Sequence, residues 1–273
     1  MELTLLRIAL VAYLFAAVAF GAHLLTMRKT VYRVATSLLA LAFVMHGLSV
    51  VARSATGGYI AVTTEREAMS FLAWLIVGVY LAVQFRYRLP AVGAVVAPIA
   101  FGFTLASFAL YAGVRDLPPN LRSAWLPVHV TLAFLGNAVL ALAFAVSLVY
   151  LFHERQLKEK RPPSILHRLP SLETLDQLNY RALMWGFPLL TLGIVTGALW
   201  GKHSWGRLWS WEEREVFSLV TWLVYAGLLQ ARLVAGLRGR RAATVTIFGF
   251  ALMLISFVFG HMLFPGKHQG TFE

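Results

Sequence analysis

Half of the eight tryptophans in this 273-residue chain fall within twelve residues, from Trp200 to Trp211. Indole rings favour the membrane–water interface, so an aromatic belt is one interpretation of such a cluster. A belt, however, is spread over many helix ends, whereas here Gly201 and Gly206 separate the indoles within a single connection. Residues 200–215, called the Trp-rich segment below, therefore predict an apolar platform that binds a flat, apolar ligand.

The helix that follows this platform is predicted to begin near Trp211, because Ser210 and Glu213 have the spacing of a capping box. Negative charge also stabilises a helix N-terminus, which gives the glutamates of this turn a purely structural interpretation. Residues spaced by four, seven and eleven share one helix face. On this helix they are Trp211, Glu215, Ser218 and Trp222.

Among the eight histidines, His129 lies near the start of the fifth predicted span and His268 lies just beyond the eighth. Neutral imidazole is the usual axial ligand of haem iron, and two imidazoles above an aromatic platform would form a bis-histidine haem site. An ordinary solvated side chain is the alternative, and it also applies to His203. His46 differs, because an ionisable residue inside an apolar helix indicates function by default.

The rest of the chain has the composition of a membrane protein: 59% of its residues are hydrophobic and 13% are charged, against roughly half and a quarter in soluble domains. Crossing a bilayer takes about 20 apolar residues. We predict an all-α, polytopic membrane helix bundle, a single transmembrane domain over residues 1–273 with about eight transmembrane helices. The predicted spans are Leu3–Thr26, Val31–Val51, Met69–Phe85, Pro90–Tyr111, Leu126–Phe152, Ala182–Trp200, Val216–Ala235 and Ala243–Leu263.

The chain has a net charge of +12, and the distribution of its positive charges indicates its topology in the membrane. Fifteen of the 24 Lys and Arg lie in one alternating set of connections and nine lie in the other. The positive-inside rule puts the fifteen in the cytoplasm, and both termini and the Trp-rich segment outside the cell membrane. Bases in short gaps between apolar runs exclude nucleic-acid binding, which needs a basic face on a soluble module. Residues 153–179 are predicted to be a basic cytoplasmic linker in which His153 and His167 are solvated.

The Trp-rich segment fits a known sequence frame, W-G-x-x-W-x-W-D-P-K-E-x-W. Here it reads Trp205-Gly-Arg-Leu-Trp209-Ser-Trp211-Glu-Glu-Arg-Glu215-Val-Phe217. Four positions depart from the frame: Glu212, Glu213, Arg214 and Phe217 replace its Asp, Pro, Lys and last Trp. The stretch from His46 through Arg53 and Glu67 to Trp74 also fits the CcsA branch of the same family. On these residues the chain resembles the cytochrome c assembly (CcsA/CcmC) family of haem-handling membrane proteins, and eight spans suit CcsA better than CcmC.

This resemblance implies that haem b is bound non-covalently and transiently. His129 and His268 match the family's two axial ligands of the haem iron. The residues that would bind the porphyrin are Trp200, Trp205, Trp209, Trp211, Glu215 and Trp222. Further candidates are Lys202, Arg207 and Arg214, as partners of the propionates, together with His46 and His203. Gln230 stands where the family has a membrane histidine, so the family's transmembrane haem-entry site is not carried over.

The function implied is presentation of haem at the outer membrane face for covalent attachment to apocytochrome c, as part of a cytochrome c haem lyase complex with a CcsB-type membrane partner. Thioether formation would use the cysteines of the apocytochrome, since this chain has none. No catalytic residue is assigned. Two alternatives stay open: a HemX-like membrane regulator of haem biosynthesis, and a haem exporter. An exporter requires a continuous polar path, whose sparse candidates are His46, Gln84, Asn137 and Gln230.

Overall fold

The computed structural model describes residues 1–110, 125–159 and 169–263, except for the side chains of residues 205, 214 and 256–263. These residues form eight helices and, within the described ranges, no strand, so the all-α prediction is confirmed. The helices are α1 (Glu2–Thr26), α2 (Lys29–Gly57), α3 (Glu65–Tyr87), α4 (Pro90–Ala109), α5 (Trp125–Lys158), α6 (Leu172–Trp205), α7 (Glu213–Val234) and α8 (Gly239–Leu263).

Seven helices of the described part, α1 to α7, are long and apolar enough to cross a membrane. The eighth predicted span corresponds to α8, which begins four residues before Ala243. Many large apolar side chains on these helices are exposed, as lipid-facing side chains are; examples are Phe15, Val44 and Leu223. The chain is a multi-pass membrane protein.

The helices group into two compact units. The first contains α1 to α4 and the last residues of α5, and the second contains the rest of α5 with α6, α7 and α8. Each unit has its own buried core. The single transmembrane domain expected from the sequence stays a prediction.

The first unit holds four charged groups at one end, three of them buried and Glu2 partly exposed, which we call the ion cluster: Glu2, Arg53, Arg66 and Glu67. Arg53 Nε donates to Glu67 Oε1 at 2.8 Å, and its Nη1 lies 3.6 Å from Glu2 Oε2. Arg66 Nη2 donates to Glu2 Oε1 at 2.9 Å. The cluster joins α1, α2 and α3, and its two positive and two negative charges balance.

Glu67 also organises the connection between α2 and α3. Its second carboxylate oxygen accepts from the backbone N–H of Thr63 at 3.0 Å and of Thr64 at 3.2 Å, and from the Thr63 hydroxyl at 2.9 Å. Thr64 in turn caps α3 by accepting from the Glu67 N–H. Glu67 therefore joins Arg53 to the backbone that enters α3.

The second unit has a polar clamp around Arg232, whose side chain is 4% exposed. Its guanidinium donates to Asp176 Oδ2 at 2.8 Å and to Asn179 Oδ1 at 2.9 Å. Asn179 donates in turn to Ser147 Oγ at 2.8 Å and to Thr246 Oγ1 at 3.1 Å. Since these residues come from α5, α6, α7 and α8, one hydrogen-bonded network joins all four helices.

The predicted linker, residues 153–179, is helical at both ends, because α5 continues to Lys158 and α6 begins at Leu172. His153 is 6% exposed on α5, so the expectation that it is solvated was wrong. The burial arises because α5 extends beyond the apolar run that defined the span. His167 lies outside the described residues. The cytoplasmic location of this region stays a prediction.

Candidate functional site

The Trp-rich segment comprises the end of α6, a short loop and the start of α7. Helix α6 continues through Trp200 to Trp205 and ends at Gly206, whose φ of 73° is left-handed and whose N–H donates to the Lys202 carbonyl at 3.0 Å. Glycine adopts this conformation without the strain that a Cβ would cause. The non-helical part is therefore confined to residues 206–212.

Helix α7 begins at Glu213, two residues later than predicted. The capping pair is Glu212 with Glu215, and the assignment to Ser210 with Glu213 was wrong. Glu215 Oε2 accepts from the backbone N–H of Ser210 at 2.7 Å and of Glu212 at 3.4 Å. Trp211 precedes the helix with a left-handed φ of 59°, so it does not share the helical face of Glu215.

We expect Glu215→Ala to loosen the loop, because two backbone N–H groups lose their acceptor. A lost helix cap costs about 1 kcal/mol, and the free energy of unfolding should fall by that amount. Hydrogen exchange of the Ser210 amide should become faster. Glu213→Ala is the matched control, since its carboxylate takes no part in these bonds. Equal exchange rates in the two variants would contradict the capping role of Glu215.

The indoles of the segment differ in their surroundings. Trp200 is buried on α6, whereas Trp209 is half-buried and contacts Trp211 edge to face at 6.0 Å. Trp211 is 72% exposed. The side chain of Trp205 is outside the described residues, as is that of Arg214. The same segment carries three exposed polar side chains: Lys202, His203 and Arg207.

His129 lies near the beginning of α5, beside the last turns of α6. Its Nδ1 is 2.9 Å from the carbonyl oxygen of Gly193. Its ring is parallel to the indole of Trp200, with 7° between the planes and 6.2 Å between the centroids. The structure therefore brings together one predicted iron ligand and one predicted tryptophan. The second predicted ligand, His268, lies outside the described residues.

Trp222 lies further along α7 and packs against α6. Its indole N–H donates to Thr191 Oγ1 at 2.9 Å, and its ring is 5.4 Å from that of Phe187. This indole therefore ties the two helices together. Gln230, on the same helix, is exposed.

His46 belongs to the first unit and is fully buried. Its Nδ1 is 3.2 Å from the Tyr13 hydroxyl, and its Nε2 is 2.7 Å from Ser70 Oγ. Both ring nitrogens therefore have hydrogen-bond partners, and binding a metal would require one of these bonds to break. Gln84, another residue of the first unit, is likewise engaged with Tyr80 and Tyr32.

Comparison with known proteins identifies the family of this chain. The family described as Cytochrome C assembly protein matches residues 62–268. The chain belongs to this family. Proteins called cytochrome c biogenesis protein CcsA share 31% identity in Gloeothece citriformis (80% of this chain, 81% of the relative), 34% in Parasynechococcus marenigrum (85% and 84%) and 31% in Guillardia theta (78% and 77%).

A solved structure of the cytochrome c heme lyase CcmF has the same fold as this member of the cytochrome c assembly family. It covers 99% of this chain with a TM-score of 0.67 and 18% sequence identity. This chain spans half the length of that structure. The family match includes the second helical unit up to residue 263, and hence both His129 and the Trp-rich segment.

Two residues beside His129 were missed from the sequence. Gly193 supplies the carbonyl that His129 contacts, and a Cβ built at Gly197 would lie 2.7 Å from His129 Cε1. Their spacing from Trp200 could have identified them, because residues 193, 197 and 200 share one face of α6. Which residue opposes that face depends on how α5 and α6 pack, and the sequence does not show this.

Proposed function

We propose that this protein presents haem b at the outer face of the membrane for covalent attachment to apocytochrome c. The site comprises His129 and the Trp-rich segment, with His268 as the second axial ligand. Haem is here a transient, non-covalently bound substrate. The outward orientation of this end of the second unit follows from the bias of Lys and Arg, fifteen against nine.

The observation that carries this proposal is the contact of His129 Nδ1 with the Gly193 carbonyl. Histidines that bind metals commonly use their other nitrogen to donate to a carbonyl or carboxylate, which fixes the ring and makes it a better ligand. Since Nδ1 is committed to a carbonyl, Nε2 carries the lone pair for iron. The buried indole of Trp200 lies parallel to the imidazole and supports its orientation.

The other residues of the loop fit the apolar ring and the charged propionates of haem. The porphyrin is flat and apolar, and the half-buried Trp209 and the exposed Trp211 offer indole surface to it. The indole N–H of Trp209 is buried and has no hydrogen-bond acceptor among the described residues. A propionate oxygen would satisfy such a donor, and the exposed Lys202 and Arg207 would balance its charge.

The partners follow from what the chain lacks. It has no cysteine, so the thioether bonds must form on cysteines of the apocytochrome. Haem bound to this chain supplies the vinyl groups for that reaction, while the residues here hold and orient it. A CcsB-type membrane protein is the second proposed partner, in a cytochrome c haem lyase complex. The relatives' name, cytochrome c biogenesis protein CcsA, supports the apocytochrome as a partner.

His129→Ala should abolish haem binding. The measurement is the Soret band of the protein purified in detergent with its CcsB-type partner. His203→Ala is the matched control, because this exposed histidine lies beside the same loop. Added imidazole should restore the band in His129→Ala, since a small ligand can occupy the place of the missing ring. An unchanged Soret band in His129→Ala would overturn the proposal.

A second candidate is a HemX-like regulator of haem biosynthesis, and one observation favours it. Gln230 replaces the family's membrane histidine, and this side chain is exposed on α7. Deletion of the gene separates the two functions. Loss of mature cytochrome c supports haem presentation, whereas normal cytochrome c with altered haem precursors supports regulation.

A further inference from the structure

We propose that Gly197 is a positioning residue: its missing side chain and the Gly193 carbonyl together form a seat that fixes the tautomer and orientation of the His129 imidazole. The seat itself is a property of the second unit. Only the binding of iron by His129 Nε2 rests on the proposed function.

The seat depends on the close approach of α5 and α6. A Cβ built at Gly193 would lie 2.8 Å from Ala133 Cα, closer than real Cβ atoms come, and 3.1 Å from its backbone nitrogen, which is tighter than most real contacts. Small residues at a membrane helix interface permit such contact between backbones. Ala133 follows His129 by one helical turn. The approach therefore brings the His129 ring within 2.9 Å of the Gly193 carbonyl.

The partner of His129 decides its tautomer. A carbonyl oxygen only accepts hydrogen bonds, so Nδ1 must carry the proton at the observed distance of 2.9 Å. In the neutral ring the lone pair is then on Nε2. The seat thus selects one of the two tautomers before any ligand binds.

Gly197 keeps the ring in this position. A Cβ at residue 197 would lie 2.7 Å from His129 Cε1 and 2.9 Å from Nδ1, but 3.4 Å from Nε2. A methyl group would therefore press on the edge of the ring that faces Gly193, and it would move Nδ1 away from the carbonyl. Trp200, one turn later on α6, lies parallel to the same ring. The glycine and the indole together define the plane of the imidazole.

The tautomer can be measured without haem. Nitrogen NMR of the full chain, labelled with ¹⁵N-histidine in detergent, distinguishes the two tautomers, and the His129 signal is identified by its loss in His129→Gln. We expect the Nδ1–H form in the unmodified protein and a mixture in Gly197→Ala. Gly227→Ala is the control, because a Cβ there meets no described atom within 4 Å. An unchanged His129 signal in Gly197→Ala would overturn the seat.

Haem titration tests the consequence of the seat for the ligand. Loss of a partner that orients a metal-binding histidine typically costs about 10- to 100-fold in affinity, and Gly197→Ala should lose that much for haem. In a His129→Ala background the ring that the methyl group would meet is absent. There we expect Gly197→Ala to leave the melting temperature unchanged, which also shows that the substitution permits folding.

The outcomes separate this inference from the proposed function. If the unmodified protein binds no haem while the His129 tautomer responds to Gly197→Ala, the proposed function fails and the seat stands. If haem binding requires His129 but is unaffected by Gly197→Ala, the inference fails and the proposed function stands. If Gly197→Ala lowered the melting temperature equally in the unmodified protein and in His129→Ala, the inference would also be overturned.

Discussion

Glu67→Gln should lower the free energy of unfolding by about 3–5 kcal/mol, the usual cost of removing one partner from a buried ion pair. Arg53, whose side chain is 4% exposed, would lose the anion that lies 2.8 Å from its Nε. The amide also replaces a carboxylate oxygen that accepts three hydrogen bonds from Thr63 and Thr64. The measurement is the unfolding of the purified protein in detergent, followed by intrinsic fluorescence.

Two further variants separate the buried charge from other effects of this substitution. Glu65→Gln changes a carboxylate on the same first turn of α3 that is less buried, and it should cost much less. Combining Glu67→Gln with Arg53→Met removes the buried charge that the single substitution strands. This double variant should therefore be more stable than the sum of the two single effects predicts. Strict additivity would contradict a direct interaction between Arg53 and Glu67.

Asp176→Asn should have the largest effect in the second unit, lowering the free energy of unfolding by about 3 kcal/mol. Arg232 would lose its anion at 2.8 Å and keep its bond to the Asn179 amide. The same carboxylate accepts from the backbone N–H of Gly239 at 2.9 Å, at the start of α8. Hydrogen exchange of that amide should therefore become faster along with the loss of stability.

Glu173→Gln is the matched control for Asp176→Asn. Glu173 lies on the first turn of the same helix and bonds only to the exposed Gln177 among the described residues. We expect it to leave both the unfolding transition and the Gly239 amide unchanged. If Asp176→Asn behaved in the same way, Arg232 would not depend on Asp176 for its burial.

The sequence located the helices well where hydropathy alone determines them. It misplaced the start of α6 by ten residues, because residues 172–181 carry Glu173, Asp176 and Arg181 and so fail an apolar criterion. These residues are nevertheless helical, since Asp176 meets Arg232 and the adjacent turn buries Asn179. The sequence of one segment does not show whether its charged side chains are neutralised by another helix or exposed to solvent.

The candidate site shows a similar limit. Composition identified the Trp-rich segment, but the capping-box pattern favours Ser210 as the N-cap residue, whereas the structure uses Glu212 with Glu215. That shift by two residues removes Trp211 from the helix face on which the sequence had placed it. The Gly193 carbonyl that contacts His129 comes from a residue 64 positions away, so its role required a structure.

The ion cluster also bears on the order in which this protein is made. Glu2 and Arg53 are synthesised before the other two members, and their side chains lie 3.6 Å apart across α1 and α2. The third helix then delivers Arg66 and Glu67 as adjacent residues of opposite charge. The first two helices together thus contribute one positive and one negative group, and the third helix contributes a second such pair. The charges of this network therefore balance once α2 has followed α1, and they balance again once α3 is in place.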